Sequence, residues 1–284
     1  MALTINTNLS SLIVQKNLSS ATTSLNSAIE RMSTGYKINH AKDNAAGYSI
    51  AANWKTKISS LDVASDNASM GADLLKTAEE NYSLITEHLQ RVRDLTEQAA
   101  NGTYGSSSLS AIQSEMTARF AEIDRIAANC EFNGINLMDG SQTNAINLQV
   151  GLDATTSKSQ IALEATLFAK ADSKSLIKDG NIADFVKAAG TSATAASKLE
   201  KIDTAISEIS SRVTTIGAAQ NRVDSVISSI SVQSENLTSS LSTIRDADVA
   251  EESSSYIKAQ ILQQASATLL AAANQTPSIA LNLI

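Results

Sequence analysis

The sequence predicts a mainly α-helical fold: an elongated antiparallel helical bundle or coiled coil with a small β-hairpin region. The main observation is an apolar repeat over residues 199–244, where apolar side chains recur alternately three and four positions apart. A repeat of about 3.5 residues kept over this distance is typical of a long helix that supercoils around a partner. The repeat consists of Leu199, Ile202, Ile206, Ile209, Val213, Ile216, Val223, Ile227, Ile230, Leu237, Leu241 and Ile244, with Gln220 and Ser234 at two further positions.

The composition indicates the same fold class. The chain has 284 residues, of which 43% are hydrophobic but only 4% aromatic, with one Pro and 11 Gly. Aromatic and turn-forming residues are too few for a compact enzyme core with many short strands. The formal charge of −7 argues against nucleic acid as a partner, because phosphate binding needs a concentrated basic face. The single cysteine, Cys130, excludes an internal disulfide.

The first half of the chain predicts two further amphipathic helices before a change of pattern. One spans residues 14–32 and ends near Gly35, since glycine favours a helix stop. The next begins after a cap at Asp43 or Asn44 and runs to the turn at Asn101-Gly102. The loops between these long helices are short, so we expect neighbouring helices to run antiparallel.

A third helix over residues 109–126 is followed by the predicted β-hairpin region, at about 130–167. Apolar residues alternate with polar ones over 146–150 and again over 161–165, which is typical of two strands. We expect the tip of this hairpin at Gly151–Lys158. The following stretch, up to about residue 197, is rich in Ala, Ser, Lys and Gly and predicts at most a short helix near Ile182 to Ala188.

The two ends of the chain share an unusual lack of charge. Lys16 is the one charged residue before Glu30, and no ionisable side chain follows Lys258. The last predicted helix extends from Ile257 to Ala272 and ends before Pro277. Soluble monomers rarely leave two long apolar stripes facing water.

We therefore expect the two ends to pair with each other and with neighbouring subunits, and to become ordered only on assembly. The residues expected to form these contacts are the large apolar members of the two terminal stripes. They are Val14, Leu18, Leu25 and Met32 in the first helix, and Ile257, Ile261, Leu262 and Leu269 in the last.

The sequence predicts neither a membrane segment nor an active site. Residues 1–20 lack the basic start and continuous apolar core of a secretory signal, and no run of 18 apolar residues occurs. The histidines, His40 and His88, have no metal-ligand spacing to each other or to Cys130. Phosphate-binding glycine motifs and nucleophile motifs are also missing from the sequence, and its carboxylates are spread along helix faces rather than clustered, which argues against a catalytic pair. We therefore expect no catalytic residue, cofactor or metal.

Nine short runs of sequence, in order along the chain, resemble bacterial flagellin. The runs are Ile5-Asn6-Thr7-Asn8, residues 28–35, residues 38–39 with 41–47, residues 89–95, residues 122–126, Phe132-Asn133-Gly134, residues 148–151, residues 220–223, and residues 258–265. Each run alone is weak, but nine in the right order at both ends of one chain make coincidence very improbable. The chain thus resembles a short flagellin that lacks the variable outer domains.

This resemblance implies a domain organisation. Residues 1–40 and 246–284 would be the terminal inner-core helices, disordered in the monomer and helical in the filament. Residues 41–167 and 198–245 would form the central helical bundle with its β-hairpin. The segment 168–197 would be a short remnant of the variable region.

The resemblance also implies a function and partners. The chain would be exported unfolded through the flagellar type III apparatus and would polymerise into an extracellular helical tube, the propeller for swimming or swarming. Its partners would be other copies of itself, an export chaperone on the C-terminal helix, and the filament cap and hook-associated proteins. Nucleic-acid binding and membrane insertion would play no part.

Two other roles are compatible with the resemblance. A hook–filament junction protein shares the terminal pattern and is the alternative within the structural class. As a secondary role, Gln90, Arg91, Leu95 and Glu115 match flagellin positions that contact the animal flagellin-sensing Toll-like receptor. Their primary role would be packing between subunits, with receptor binding as a consequence of their exposure in the monomer.

Overall fold

The computed structural model describes residues 7–153 and 159–281, and the chain in it is mainly helical. In chain order, the helices are α1 (Leu9–Thr34), α2 (Ala45–Ala100), α3 (Ser106–Asn129), α4 (Ser173–Ile177), α5 (Ile182–Ala189), α6 (Ser192–Arg245) and α7 (Val249–Leu281). Four short strands and one 3₁₀ turn lie between α3 and α4: β1 (Glu131–Phe132), β2 (Ile135–Asn136), β3 (Ile146–Gln149), β4 (Gln160–Leu163) and the turn Ala165–Phe168. The predicted fold class is confirmed.

The chain divides into two compact units. The terminal unit contains the residues up to Ile58 and from Glu235 onward, and the central unit contains Ser59–Ser234. Among the described residues, no helix combines the length and the apolar character needed to cross a lipid bilayer.

In the central unit α2 runs antiparallel to both α3 and α6. Polar contacts join Glu79 to Gln220 and Arg93 to Asp203, so the residue numbers fall on α6 as they rise on α2. Arg91 likewise contacts Glu115 of α3. The seam that these helices share is buried and apolar, and its members include Leu75, Tyr82, Ile85, Leu89, Met116, Phe120, Ile202, Ile209, Ile216 and Val223.

The strands form two antiparallel pairs, β1 with β2 and β3 with β4. In the second pair Ile146 lies opposite Leu163. Leu148 of β3 rests on α2 at Gly71, where an added Cβ would come within 2.2 Å of the Leu148 side chain. This close approach is the reason for a glycine inside α2. The hairpin agrees with the prediction, but residues 154–158 of its expected tip lie outside the described residues.

The stretch between β4 and α6 is more ordered than its composition suggested. Phe168, Leu176 and Phe185 are almost completely buried. The ring of Phe185 meets Phe120 of α3 edge-on, with 5.8 Å between the ring centroids. This segment therefore belongs to the core of the central unit and is more than a connection.

Two helix boundaries differ from the sequence-based expectation. The long helix α6 begins at Ser192 rather than near Leu199, because α5 and α6 are joined by a tight connection around Gly190. The last helix continues to Leu281, so the expected end before Pro277 is wrong. A proline lacks the backbone N–H that donates a helical hydrogen bond, and α7 nevertheless remains helical on both sides of Pro277.

Candidate functional site

The ends of the terminal helices are fixed by local capping. The side chain of Asn8 accepts a hydrogen bond from the Ser11 N–H at 3.1 Å, which caps the start of α1. Gly35 ends the helix in the left-handed conformation, with φ 73°, and its N–H bonds to the Arg31 carbonyl. At the start of α7 the carboxylate of Asp248 accepts from the Ala250 N–H at 2.8 Å. The carboxylate of Glu251, in the first turn of α7, also interacts favourably with the positive end of the helix dipole.

Helices α1 and α7 pack antiparallel along their length. Three polar contacts show the register: Asn8 with the Ala273 carbonyl at 2.8 Å, Thr22 with Gln263 at 3.2 Å, and Arg31 with Glu252 at 3.1 Å. The buried residues of this seam are small, except for one carboxylate. They are Ala21 and Ala28 on α1, and Glu252, Ala259 and Ser266 on α7. Small side chains allow the two helix backbones to approach closely.

At one end of the helix pair, contacts join the segment that follows α1 to the segment that precedes α7. Gly35 accepts a hydrogen bond from the Ala247 N–H, and Lys37 donates its N–H to Arg245, each at 2.8 Å. The Arg245 guanidinium lies 4.1 Å from the centre of the Tyr36 ring. Because these contacts involve backbone on both segments, they fix the relative register of α1 and α7 at this end.

Large apolar side chains of the pair point away from the seam. On α7 the exposed fractions are 53% for Ile257, 59% for Ile261, 49% for Leu262 and 58% for Leu269. On α1 Met32 is 38% exposed, and the predicted contact residues Val14, Leu18 and Leu25 are half-buried at the edge of the seam.

The residues of α7 predicted as subunit contacts are therefore part of an exposed apolar surface, and their role as contacts stays a prediction. Further exposed apolar residues, not predicted as contacts, are Leu9, Leu12, Ile13 and Ile29 on α1 and Val249 on α7. Burying one Leu or Ile side chain contributes about 1.5–3 kcal/mol. Several such side chains in one surface are a large driving force for association.

A groove of about 640 Å³ lies between α1 and α7. Most of the side chains that line it are small, and Lys258 is the charged one. The lining residues are Asn17, Ser20, Ala21 and Ser24 on α1 and Ser255, Lys258, Ala259, Leu262, Ala265, Ser266 and Leu269 on α7. Small residues in a cleft leave room for the side chains of a neighbouring helix to pack. Among the described residues, no three His, Cys, Asp or Glu side chains are placed to hold a metal ion.

The predicted receptor-contact residues lie in the central unit, on α2 and α3. Gln90 is exposed, and the Nε of Arg91 donates to Glu115 at 2.8 Å. This hydrogen bond lowers the pKa of the Glu115 carboxyl and raises that of the Arg91 guanidinium. Leu95 is only 1% exposed, so it belongs to the core beneath this surface and is not available as an exposed anchor.

The remaining groups considered from the sequence have structural surroundings. His40 lies 2.8 Å from Glu30, and the Nδ1 of His88 lies 3.5 Å from Arg119. Cys130 is 3% exposed, and burial raises the pKa of its thiol to about 11. A thiol with this pKa is protonated at neutral pH and is a poor nucleophile.

Fold and surface together define a class: a helical structural protein whose paired ends leave an apolar surface exposed. Comparison with known families then gives a specific assignment. Residues 5–143 match the bacterial flagellin N-terminal helical region, and residues 199–284 match the bacterial flagellin C-terminal helical region. The chain belongs to the flagellin family.

Individual relatives agree with this assignment. The flagellin of Bacillus subtilis is 37% identical, and the flagellar filament 33 kDa core protein of Treponema phagedenis is 33% identical. Each alignment covers 99% of this chain and 99% of the relative. A solved structure described as a flagellar hook-associated protein from Vibrio parahaemolyticus has a TM-score of 0.61, at 14% identity. It covers 72% of this chain and 100% of that protein, and at this identity it shows a shared fold alone.

The function follows from the family. The chain is a structural subunit of the bacterial flagellar filament, polymerises with copies of itself and is not an enzyme. Its location is the extracellular filament. The hook-associated alternative has less support, because named flagellins align over nearly the whole chain at more than twice the identity of the hook-associated structure.

Proposed function

We propose that the paired terminal helices, residues 1–40 and 246–284, are the inner contact layer of the filament. The observation that carries this proposal is the exposure of Ile257, Ile261, Leu262 and Leu269 on α7 beside a groove of small residues. In a filament the same side chains become buried between copies, and the apolar area leaves water. Contacts of this heterologous kind between identical subunits generate an open filament when they do not close into a ring.

The same surface supports the prediction that these helices are disordered in the monomer. Their mutual seam buries mainly Ala and Ser, which contribute little apolar area, and their outer residues gain burial only from other copies. Helix nucleation is unfavourable when stabilising partners are missing. Ile5 and Asn6 begin the first run that resembles flagellin. These two residues and the last three residues of the chain lie outside the described residues.

A double substitution on α7 tests this contact layer. Replacing Ile257 and Ile261 by Ser removes two exposed apolar side chains without touching the buried seam. We expect the unfolding midpoint of the central unit to stay unchanged and the critical concentration for polymerisation to rise by about tenfold or more. Leu152→Ser is the matched control, since Leu152 is also exposed, at 43%, but lies outside the terminal helices. Equal critical concentrations for the double variant and the wild type would contradict the proposal.

For the rest of the chain we propose the central domain at 41–167 and 198–245, with 168–197 as the place where longer flagellins carry outer domains. The two family regions end at residue 143 and begin again at 199, which supports a variable segment between them. Export in an unfolded state, a chaperone on the C-terminal helix, and contacts with cap and hook-associated proteins complete this proposal. The exposed apolar face of α7 around Ile257, Ile261 and Leu262, which also carries Lys258, is a suitable chaperone target, since it would be hidden again once the filament forms.

A second candidate role is recognition by the animal flagellin-sensing Toll-like receptor. The favouring observations are the exposure of Gln90, next to Arg91 in the chain, and the Arg91–Glu115 pair, which holds the guanidinium in place. Arg91→Ala should weaken receptor binding, whereas Arg93→Ala, which breaks the pair with Asp203, should not. Binding isotherms on the folded monomer check this. Unchanged affinity for Arg91→Ala would rule out this site.

A further inference from the structure

One carboxylate lies among small side chains in the seam between α1 and α7. Glu252 is 9% exposed and pairs with Arg31, with 3.1 Å between Oε1 and Nη1. The other residues buried in the described part of this seam are small: Ala21, Ala28, Ala259 and Ser266. Taking a charge out of water is costly even when it is paired, and an apolar residue in its place often gives equal stability. Stability alone therefore does not explain the pair.

The side of α7 that faces α1 has a pattern that also fits a second α7. Buried and half-buried residues recur there alternately four and three positions apart, a spacing typical of a helix that packs along another helix. They are Glu252, Tyr256, Ala259, Gln263, Ser266, Leu270 and Ala273. Apart from Glu252 these residues are uncharged, so without this carboxylate α7 of a second copy would fit in the place of α1.

Glu252 would have no cation beside it in a pair of two α7 helices. In the antiparallel arrangement that keeps the pattern in register, Ala259 meets Ser266 and Glu252 meets Ala273. The only basic residue in the sequence of α7 is Lys258, and in the second copy it would lie about 22 Å from Glu252 along the axis. In the parallel arrangement Glu252 meets the same carboxylate of the other copy, and like charges repel. Either arrangement buries an unpaired charge, which is strongly destabilising.

In the pair with α1 the same carboxylate has a partner. Arg31 lies in the last turn of α1 and Glu252 in the first turn of α7, and the antiparallel packing brings them together. The helix dipoles favour this placement too, because a cation is stabilised at the C-terminal end of a helix and an anion at the N-terminal end. Pairing with α1 is thus the arrangement that satisfies Glu252.

We propose that the Arg31–Glu252 pair selects the seam partner of α7, which rests on the contact layer of terminal helices proposed above. The carboxylate accepts α1 of the same chain and rejects α7 of a second copy. An interface becomes specific when the wrong partner leaves a buried charge unpaired. This selection acts while the ends of the chain become ordered among many identical copies, and it prevents dimers that cannot enter the filament.

Charge reversal tests the pair within one chain. Arg31→Glu and Glu252→Arg each place two like charges in the seam, and we expect each to raise the critical concentration for polymerisation about a hundredfold. The double reversal restores an ion pair and should stay within about tenfold of the wild type, the remaining loss coming from the helix dipoles. A double reversal as defective as the single ones would overturn the proposal.

Glu251→Arg is the matched control for these reversals. It makes the same change of charge in the same turn of α7, but at an exposed position outside the seam. Its critical concentration should therefore also stay within about tenfold of the wild type. A hundredfold rise for Glu251→Arg would show that the charge of this turn matters and its place in the seam does not, which would contradict the proposal.

A cysteine in the middle of the α7 seam tests the rejected partner. Gln263 faces Thr22 in the pair with α1, whereas in either arrangement of two α7 helices it lies next to its own counterpart. Subunits that carry Gln263→Cys, alone or together with Glu252→Ala, are oxidised below the critical concentration with copper phenanthroline. Two thiols lose two electrons to the copper complex and two protons to water as the S–S bond forms, which requires Cα atoms within about 7 Å.

We expect Glu252→Ala to increase the rate of covalent dimer formation about tenfold, because it removes the barrier to a second α7. Glu251→Ala in the same Gln263→Cys background should leave the rate unchanged, and the buried Cys130 should stay unreacted. Equal rates for the two alanine variants would overturn the proposal. They would leave the contact layer standing, since Ile257 and Ile261 test that layer separately.

A mixture of Arg31→Glu and Glu252→Arg subunits tests whether the pairing is within one chain. The mixture should remain as defective as its components, because each chain carries two like charges in its own seam. Restored assembly would show that α1 of one copy pairs with α7 of another, which would contradict the selection of α1 from the same chain.

Discussion

The central unit and the terminal helix pair bury different kinds of side chain. In the central unit the completely buried residues include Tyr82, Phe120, Phe168 and Phe185. In the terminal pair the buried seam is made of Ala21, Ala28, Ala259 and Ser266, together with Glu252, while the large apolar residues face outward. One region has completed its core within the chain, and we propose that the other completes its core with further copies.

This difference explains how one chain can be both a folded unit and an assembly element. Burial of apolar area is the main stabilising contribution to folding and to association alike. The central unit obtains it from α2, α3 and α6 of the same molecule. The terminal helices leave their large apolar side chains exposed, so on our proposal their stability should depend on assembly.

The largest expected effect is on the core of the central unit. Phe185→Ala leaves a cavity beside Phe120, and we expect the free energy of unfolding to fall by about 3–5 kcal/mol. Urea denaturation followed by circular dichroism measures this. Ile261→Ala, at a position 59% exposed, should change it by less than about 0.5 kcal/mol. Similar losses for the two variants would remove the contrast between the regions.

The buried seam between α1 and α7 consists of small side chains, so a larger side chain there should disturb assembly more than a smaller one. Ala28→Leu places a large side chain where 4% exposure leaves no room, and overpacking costs about 1–3 kcal/mol. We expect filament yield in a sedimentation assay to fall, with the unfolding of the central unit unaffected. Ile29→Leu, at the exposed neighbouring position, is the control and should polymerise normally. Normal polymerisation of Ala28→Leu would show that the seam is not closely packed.

A buried hydrogen bond in the central unit should have a smaller effect. The hydroxyl of Tyr82 donates to the Leu167 carbonyl at 3.0 Å, and burial raises its pKa, so it stays a donor at neutral pH. Tyr82→Phe should lower the free energy of unfolding by about 1 kcal/mol. Tyr104→Phe, at a position 40% exposed, serves as the reference and should be neutral. A neutral result for Tyr82→Phe would mean that water already satisfies this carbonyl.

The smallest effect concerns a carboxylate between α4 and α5. Hydrogen bonds from Lys198 and Lys201 lower the pKa of Asp179 below its ordinary value. A lowered folded-state pKa stabilises the protein above the ordinary carboxyl value of about 3.9, and this contribution is lost as the pH falls through the lowered pKa.

Asp179→Asn should therefore cost up to about 1 kcal/mol at neutral pH, since the pair is partly exposed. The difference from the wild type should vanish in strong acid. Denaturation curves at pH 7 and at about pH 2 measure both values. A difference that stays the same at both pH values would show that the ion pairs are not its source.

The periodic parts of the fold could be predicted from the sequence. A repeat of three and four residues fixes which face of a helix is buried, and this holds for Ile202, Ile209 and Ile216 of α6 and for Ala21 and Ala28 of α1. On α7 the large residues Ile257 and Ile261 marked the exposed side instead. The buried side is a row seven residues apart, Glu252, Ala259 and Ser266, whose small or polar members give little hydropathy signal.

The segment before α6 was the least predictable. The short helix expected near Ile182 to Ala188 is present as α5 (Ile182–Ala189), but α4 and the burial of Phe168 and Phe185 had no signal in a composition that is polar and rich in Ala. Its position on the core depends on contacts with Phe120, more than 60 residues earlier in the chain, and no local pattern contains that information. The burial of Leu95 was missed for the same reason, since the neighbouring Arg91 is half-exposed and suggests an outward face.

Amide hydrogen exchange on a verified monomer and on the filament is the most direct test of the central claim. In the monomer we expect rapid exchange in α1 and α7 and strong protection in the parts of α2, α3 and α6 that form the central core. In the filament, α1 and α7 should become protected, with little change in the central core. Protection of α1 and α7 in the monomer equal to that of the central core would show that the ends need no neighbours, which would contradict the account.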